Sequence, residues 1–472
     1  MTGSCPTWSC ATALSSSTPD PPLDLDLYKL LIEHLFAQNQ FSIKLGLDRV
    51  RRALSALGPE SRRPPCVLIA GTNGKGTVSC LLSRLLAAAG LRVGLYTSPH
   101  LVDLNERFRV DGRPVSRAAV LDVALPLMAC FAGADNLPDA LKAGLPLASA
   151  AGWQAADSPV ADQGEALTFF ELTTLMAVLL FERHHVDVCV MEVGLGGRLD
   201  ATNALDPILS VITSVDLDHQ QYLGDTVALI AAEKAAIMRP GRLAIASPQK
   251  HPDARSVIEA HAQATGAHLR WSTPLPDEAL PVWLRGAFAD NAATAVAAFE
   301  ACRAPEGCWP DGLREVDVAD VLASTRWPGR RDTLQIDAGI WAGPWLFDVA
   351  HNPAGMDSLA DFLAERGAPE VGVVGLMSDK DVEGVCARLA RLPVRWITTR
   401  AGTPRALPAE ALANALRAAG ADVAGSDESV RGALLKARAL TQREVLVCGS
   451  VYLLGEVLEA LEVSEGFFGL EV

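Results

Sequence analysis

Several features that mark other classes of protein are missing from this sequence of 472 residues. The ten cysteines form no C-x-x-C pair and several lie in apolar segments, a pattern typical of reduced core thiols in a cytoplasmic protein. There is no run of basic residues and the net charge is −15, so we expect no nucleic-acid partner. The longest apolar run, 172–181, is shorter than the roughly 20 residues that span a bilayer, so we expect no membrane insertion.

The first 22 residues also lack the marks of a signal peptide. They have no positively charged start and no apolar core, and they are rich in Ser, Thr and Pro. This composition predicts a disordered tail. No short-period repeat follows, and the length together with 49% hydrophobic residues suits two to three globular domains.

The strongest local signal is the segment 67–77, Val-Leu-Ile-Ala-Gly-Thr-Asn-Gly-Lys-Gly-Thr. Four apolar residues predict a buried strand, and apolar positions at three- and four-residue spacing predict a helix over 77–89. A glycine-rich loop between a strand and a helix can surround a phosphate with backbone N–H groups, with Lys75 as the counter-charge. The loop departs from G-x-x-x-x-G-K-[ST], because Ile69 replaces the first glycine and Gly76 separates Lys75 from Thr77. An ordinary glycine turn is the alternative.

Polar side chains follow the next predicted strands at their carboxyl ends, where open α/β sheets bind ligands. Strand 91–96 leads into Thr97-Ser-Pro-His100 and then Asn105-Glu-Arg107. Strand 186–193 carries Glu192, a carboxylate that is costly to bury unless a cation neutralises it. Strand 208–215 leads to Asp218-His219, so Glu192 and His219 are candidate Mg²⁺ ligands. A capped loop and a simply hydrogen-bonded histidine are the alternatives.

The alternation of strands and helices restarts after Trp327-Pro-Gly-Arg-Arg331. Predicted strands there end in polar residues again, including Asp348 and His351-Asn-Pro353. The sequence therefore predicts an α/β fold class: an N-terminal P-loop ATPase-like domain and a smaller C-terminal doubly wound, Rossmann-like domain. The expected divisions are a tail at 1–22, the ATP-binding domain at 23–325, a linker at 326–333 and the C-terminal domain at 334–472.

Two further segments have no clear role from residue chemistry alone. Residues 132–166 are mostly Ala, Gly, Pro and Asp and are longer than a usual connection, which indicates a lid or a mobile insertion. A helix predicted at 231–238 carries Glu233-Lys234, and residue chemistry alone predicts a surface ion pair there.

Taken together, the motifs closely resemble bacterial folylpolyglutamate synthase/dihydrofolate synthase, of the Mur ligase superfamily. The resemblance spans about residues 27–460 and rests on motifs that occur in the family's order: Gly71-Thr-Asn-Gly-Lys-Gly-Thr77, Thr97-Ser-Pro-His-Leu101, Asn105-Glu-Arg107, Glu192-Val-Gly-Leu-Gly-Gly-Arg-Leu-Asp-Ala-Thr-Asn203, Asp218-His219, Glu233-Lys-Ala235, Asn291-Ala-Ala-Thr294, Pro328-Gly-Arg330 and Asp348-Val-Ala-His-Asn-Pro353.

The resemblance implies an ATP-dependent amide ligase with two Mg²⁺ ions. Such an enzyme phosphorylates the carboxylate of dihydropteroate or of a folate, and the amine of L-glutamate then displaces phosphate from the acyl phosphate. Small molecules would be its partners. The cysteine pattern indicates the cytoplasm, and nothing in the sequence demands more than a monomer.

The resemblance also assigns residues by matching positions. The ATP contacts would be Gly74, Lys75, Gly76, Thr77, Asn291, Arg330 and Asp348. The metal ligands would be Ser98, Glu192, His219 and a carbamylated Lys234, with Lys75, His219 and Lys234 in catalysis. The pterin would lie against Lys44, Leu45, Gly46, Thr168, Phe169, Phe170, Glu171, Leu199, Asp200 and Ala201.

Small departures from the family pattern affect some of these assignments. Ala236 stands where Gly usually follows Glu-Lys-Ala, Ala354 replaces a common His, and Phe288-Ala289 occupies a His-Gln-like position. The departures at Ala354 and at Phe288-Ala289 would alter nucleotide or glutamate contacts. The long 132–166 segment would change the shape of the pterin entrance.

Two other functions compete with this interpretation. One is a Mur-type amino-acid ligase of cell-wall synthesis, although only some 70 residues precede the phosphate loop, too few for that branch's additional domain. The other is a P-loop binding or switch protein without ligase chemistry, which would not need the second doubly wound domain.

Overall fold

The computed structural model describes residues 25–39, 46–58, 63–133, 137–142, 167–304 and 313–463. The predicted tail at 1–22, Lys44 and Leu45, and most of the 132–166 segment lie outside the described residues. Within the described ranges, no helix is both long and apolar enough to cross a membrane.

The first sheet has eight strands, with β1 close to its centre. The spatial order is β4-β3-β2-β5-β1-β6-β7-β8, and β3 and β4 are antiparallel additions to an otherwise parallel sheet. The bounds are β1 Cys66–Ala70, β2 Val93–Tyr96, β3 Phe108–Val110, β4 Arg113–Pro114, β5 Val188–Glu192, β6 Leu209–Ile212, β7 Leu243–Ala246 and β8 His268–Trp271. Since β5 and β6 flank β1 in parallel, the three strands end at the same edge.

Helices cover both faces of this sheet. Every residue of β1, β5 and β6 is buried, which explains why these strands are almost continuously apolar. Alternate β1 residues point into two separate cores, one containing Leu68 and the other Val67 and Ile69. The helices are α1 Leu25–Asn39, α2 Asp48–Ala56, α3 Lys75–Ala88, α4 Arg117–Met128, α5 Phe169–Arg183, α6 Val227–Ala235, α7 Pro252–Thr265, α8 Ala289–Arg303 and α9 Val318–Ser324.

The second sheet has six strands in the order β13-β12-β11-β14-β10-β9, of which only β9 is antiparallel to its neighbour. The strands are β9 Asp332–Ile336, β10 Gly343–Asp348, β11 Val371–Val374, β12 Arg395–Thr399, β13 Val423–Asp427 and β14 Val445–Cys448. The helices, again on both faces, are α10 Pro353–Arg366, α11 Val382–Leu389, α12 Ala409–Ala418, α13 Val430–Leu440 and α14 Val451–Ala460.

These two sheets confirm the predicted α/β fold class, while the predicted domain boundaries stay predictions. Some element ends differ from the sequence analysis. Helix α3 begins at Lys75 instead of Thr77, because Gly74 at φ 87° turns the chain directly into the helix. Helix α6 covers 227–235 instead of 231–238, because the Thr226 side chain caps its start by accepting from Leu229 N. The strand predicted at 91–96 begins only at Val93.

The carboxyl edges of the two sheets face each other. The Asn352 amide donates to Asn73 Oδ1 at 3.1 Å, and Lys380 lies 3.2 Å from Asp218. Gly455 in α14 abuts the carbonyl of Leu101 so closely that a Cβ would collide with it. The loops after β1, β2 and β6 therefore contact the second sheet's unit directly.

Candidate active site

The loop after β1 is shaped by hydrogen bonds to the end of β6. Thr72 N donates to Ser214 O at 2.8 Å, and Thr213 Oγ1 donates to Asn73 O at 2.7 Å. Gly74 adopts φ 87°, a left-handed conformation that glycine accommodates, and a Cβ there would collide with the Asn291 side chain. Asn291 and the phosphate loop are thus in contact, as the shared nucleotide assignment requires.

Two lysines converge on this loop. Lys75 Nζ donates to the carbonyl oxygens of Gly71 and Thr72 at 3.0 and 3.1 Å. Lys234 Nζ, from α6, donates to the same Gly71 oxygen at 2.8 Å. Burial lowers the pKa of both ammonium groups, to about 7 for Lys234. Lys234 is therefore not the surface residue that its sequence position suggested, because α6 packs its last turn against the loop.

A cavity opens beside the loop, between the two units. The Glu192 carboxylate, at the end of β5, accepts from the backbone N–H of Ser98 at 3.2 Å. A Cβ on Gly76 would lie 3.6 Å from Glu192 Oε2 and 3.2 Å from Trp327 Nε1. Burial raises the pKa of Glu192, with the nearby Lys75 charge acting in the opposite direction. Ser98, His100, Glu192, Trp327, Arg330 and Val349 are among the lining residues.

The histidine after β6 occupies a second part of the site. His219 has φ 51°, and burial lowers the pKa of its ring to about 4, so the ring is neutral at pH 7. Its neighbour Asp218 pairs with Lys380 across the interface. His351 lies in the same electrostatic group, with Nδ1 2.8 Å from Val349 O and a pKa that burial lowers to about 4.

Arg330 and Asp348 bring the second unit to the cavity. Asp348 is buried at the end of β10, where its carboxylate accepts from the backbone N–H groups of Arg331 at 3.2 Å and Ala350 at 2.8 Å. Burial lowers the pKa of the Arg330 guanidinium, while the Asp348 and Glu192 charges act against that effect. The nucleotide contacts assigned to both residues stay predictions.

The predicted pterin side is an aromatic region at the start of α5. Phe169 stacks on Phe36 of α1 with ring centres 5.2 Å apart, and Phe170 packs against Gly194. Thr168 and Glu171 form a reciprocal capping box, and Glu171 also pairs with Arg49 at 2.9 Å.

Other predicted pterin contacts have partners within the fold or are partly buried in it. The Asp200 carboxylate accepts from four groups of its own loop, the N–H groups of Gly194, Leu195 and Thr202 and the Thr202 hydroxyl. Leu199 is partly buried, Ala201 is buried, and Gly46 has φ 143°. Direct contact of these residues with a pterin stays a prediction.

The structure groups the predicted site residues unevenly. Ser98 donates its backbone N–H to Glu192, and the Asn291 side chain packs against Gly74 of the phosphate loop. Lys234 and Lys75 donate to the same carbonyl oxygen, that of Gly71. Within the described part of the chain, no three His, Cys, Asp or Glu side chains form a ready metal cluster, so any metal there needs other oxygens as well. The sequence analysis did not single out Asn73, Trp327 or Lys380. The only signal for Asn73 was its polar position in the phosphate loop, and the only signal for Lys380 was its polar position after β11.

Comparison with known proteins places this site in a class. The sequence profile of the glutamate ligase domain of Mur ligases matches residues 335–451, which contain Asp348 and Lys380. A phosphate loop facing this domain across a cavity defines a Mur-type ATP-dependent ligase.

Relatives narrow the class to one family. The chain is 33% identical to the Escherichia coli dihydrofolate synthase/folylpolyglutamate synthase, covering 94% of this chain and 97% of that protein. The structure of Escherichia coli FolC in complex with DHPP and ADP matches with a TM-score of 0.73 at 31% identity, over 93% of this chain and 98% of that one. A bifunctional folylpolyglutamate synthase/dihydrofolate synthase with Mn, AMPPNP and L-glutamate bound matches at 0.70 and 31%, over 92% and 98%. The chain belongs to the dihydrofolate synthase/folylpolyglutamate synthase family, which confirms the resemblance seen in the sequence.

Proposed function

We propose that the protein joins L-glutamate to dihydropteroate and to folates, using ATP to activate the acceptor carboxylate as an acyl phosphate. The observation that carries this proposal is the cavity between the two units. Gly76 of the phosphate loop and Glu192 line it on one side, and Arg330 and Val349 line it on the other. His100, another lining residue, packs against Phe36, which in turn stacks on Phe169. A nucleotide, a metal and an aromatic acceptor can meet there.

The positive groups around the loop suit a triphosphate. Lys234 is buried and Lys75 and Arg330 are partly buried, and in the described ranges none of the three has a carboxylate within 4.0 Å. Their charges favour an anionic ligand, and the N-terminus of α3 adds its backbone N–H groups. Lys75 then exchanges its two carbonyl acceptors for phosphate oxygens, with Gly74, Gly76 and Thr77 around them. Arg330 and Asp348 contact the nucleotide from the second unit.

Glu192 and His219 fit a divalent cation. Glu192 is only 4% exposed and its carboxylate accepts one backbone N–H. Among the described residues no cation lies within 4.0 Å of this carboxylate, so its charge is costly to bury without a ligand. The neutral His219 ring offers a nitrogen lone pair. We propose that Ser98, Glu192 and His219 hold Mg²⁺, which when bound would neutralise phosphate charge.

A second Mg²⁺ would require Lys234 to change its charge. An ammonium would repel the metal, whereas reaction of the amine with CO₂ gives a carbamate that attracts it. Burial and the adjacent Lys75 make the neutral amine accessible near pH 7. This supports carbamylation at Lys234.

We also propose that the protein acts as a monomer in the cytoplasm, without nucleic-acid or membrane partners. The acidic composition and the free thiols at the described cysteines are consistent with that setting.

The deciding experiment is ADP release with ATP, Mg²⁺ and L-glutamate, supplying dihydropteroate in one reaction and tetrahydrofolate in another. We expect turnover with both acceptors. Turnover with one acceptor would restrict the function to a single ligase activity, and folded protein that is inactive with both would contradict it.

Lys75→Ala should abolish ADP formation with either acceptor, because the γ-phosphate loses its counter-charge. Arg242→Ala, which removes an exposed ion pair with Asp206 far from the cavity, is the control and should keep normal turnover. Substantial activity of the Lys75 variant would disprove the ATP site.

A further inference from the structure

Arg107 is a buried cation beside the aromatic region that the site assignments leave without a role. It ends the short 3₁₀ helix Leu104–Arg107 and is 6% exposed. Its Nε donates to His100 Nδ1 at 2.9 Å, and its guanidinium carbon lies 5.1 Å from the centre of the Phe169 ring. The side chain is therefore held between a histidine and the predicted pterin wall.

No carboxylate of the described residues lies within 4.0 Å of the Arg107 guanidinium, and its two terminal nitrogens have no hydrogen-bond partner in those ranges. Neighbouring arginines differ: Arg49 pairs with Glu171 at 2.9 Å, and Arg117 pairs with Asp103 at 2.6 Å. The partner of Arg107 is an imidazole nitrogen, which carries no negative charge and therefore does not neutralise the guanidinium. A guanidinium that is buried but unmatched in charge is suited to an incoming anion.

The position of Arg107 restricts which anion this can be. On one side its guanidinium lies over Phe169, which belongs to the predicted pterin wall. His100, its hydrogen-bond partner, lines the cavity together with Ser98 and Glu192. An anion at the terminal nitrogens would thus lie between the aromatic wall and the metal-binding carboxylate. The carboxylate of an aromatic acceptor fits that place.

We propose that Arg107 binds the acceptor carboxylate that receives the phosphoryl group. This inference rests on the proposed function. The planar guanidinium can hold both carboxylate oxygens, which fixes the acceptor's reactive end beside Glu192 while its ring system lies against Phe169 and Phe36. Arg107 is then the residue that distinguishes a carboxylate from an uncharged group of the same shape.

The test measures acceptor binding without ATP, so that it does not depend on turnover. The ligands are dihydropteroate and its carboxamide, and the proteins are the unaltered chain, Arg107→Gln and Arg107→Lys, followed by calorimetry. The unaltered protein should bind the carboxylate about 10- to 100-fold more tightly than the amide, as for a charge-assisted pair. Arg107→Gln should bring this ratio close to one with little change for the amide, and Arg107→Lys should restore part of it.

Arg438 supplies a matched control. It is also buried, at 5% exposure, and lies over a ring, 4.1 Å from the centre of Trp345. Its terminal nitrogens, however, donate to the carbonyl oxygens of Arg443 and Pro344, both at 2.7 Å. Arg438→Lys should lower the melting temperature and keep the carboxylate-to-amide ratio. Arg107→Gln should change the ratio and lower the melting temperature less than Arg438→Lys does, because it loses one side-chain hydrogen bond but no ion pair.

Each remaining result has a defined meaning. An unchanged ratio in Arg107→Gln would overturn the inference while leaving the ligase function intact. A large loss of stability in that variant would also overturn it, because Arg107 would then be a framework residue. If the unaltered protein bound neither ligand, the proposed function itself would fail.

Discussion

Buried charged residues in this protein fall into two groups with different roles. Asp200 and Glu171 have their carboxylate oxygens occupied by hydrogen bonds or an ion pair within the fold. Glu192 and Lys234 each have a single backbone hydrogen-bond partner and face the cavity or the phosphate loop. Burial of a charge with so few partners costs folding free energy. We interpret the second group as ligand-binding, whereas the charges of the first group are already compensated within the fold.

Lys234 is predicted to carry a carbamate. The residue is 4% exposed and burial lowers the pKa of its amine to about 7, so an unprotonated fraction is present near neutral pH to react with CO₂. Incubation with ¹³C-bicarbonate should give one slowly exchanging carbamate signal in the ¹³C NMR spectrum. The signal should disappear in Lys234→Arg and persist in Lys250→Arg, which changes an exposed lysine. A signal that survives the first substitution would assign the carbamate elsewhere.

Asp332, at the start of β9, should make stability depend on pH. Burial raises the pKa of its carboxyl from 3.8 to about 6, with the Arg326 charge acting in the opposite direction. Because the folded state holds this proton more tightly than the unfolded chain, the contribution of Asp332 to the unfolding free energy is full below about pH 4. It is lost as the pH rises through 6, by about 3 kcal/mol in all.

Urea unfolding at pH values from 4 to 7 measures this effect. Asp332→Asn should remove that part of the pH dependence and be the more stable protein at pH 7. Asp337→Asn, an exposed position shortly after β9, should follow the unaltered protein. Parallel curves for Asp332→Asn and the unaltered chain would exclude a buried, proton-binding Asp332.

At the scale of the element, the sequence predicted those parts whose signals are local. The apolar run, glycines and Lys75 predicted the strand, loop and helix of the phosphate site, and the Thr168-Phe-Phe-Glu171 pattern coincides with the start of α5. Exact helix ends were less predictable. The start of α3 depends on the φ of Gly74. The start of α6 depends on the Thr226 cap, whereas the apolar pattern alone predicts a later start.

The contact between the loop after β5 and α5 gives a prediction at this scale. A Cβ on Gly194 would lie 2.5 Å from Phe170 Cζ, so Gly194→Ala should push the ring out of place. We expect the KM for dihydropteroate to rise several-fold with the KM for ATP unchanged, and stability to fall by about 1–3 kcal/mol from overpacking. Gly425→Ala, where a Cβ has open space, is the control. Equal changes in both KM values would disagree with a local effect on the acceptor side.

For the whole molecule, the central feature is that neither unit contains the site alone. The sequence predicted two units and polar residues at both carboxyl edges, but not which residues would meet. The Asn73–Asn352 and Asp218–Lys380 contacts join positions 279 and 162 residues apart, and no periodicity or local motif encodes such a pairing. Trp327 beside Gly76 was unpredictable for the same reason.

The Lys380–Asp218 pair should help hold the units in the arrangement that permits reaction. Lys380→Met removes the only charge pair that this lysine makes in the described ranges, at a position with an 11% exposed side chain. We expect kcat to fall at least about tenfold and the radius of gyration in solution to increase, with each unit still folded. Arg405→Met breaks the neighbouring exposed pair with Asp379 inside the second unit and should change neither quantity. Unaltered kcat and scattering for Lys380→Met would show that the pair is incidental.

The strand order of the second sheet also has a consequence during synthesis on the ribosome. β10 and β11, whose following loops carry Asn352 and Lys380, are not neighbours; β14, the last strand to be made, lies between them. The phosphate loop emerges much earlier, and domains generally fold in the order in which they emerge. From Arg330 to the end of β14 there are about 120 residues, roughly 6–24 seconds of translation. The phosphate loop of the nascent chain can therefore fold well before the second unit is complete and ATP can be used in the reaction.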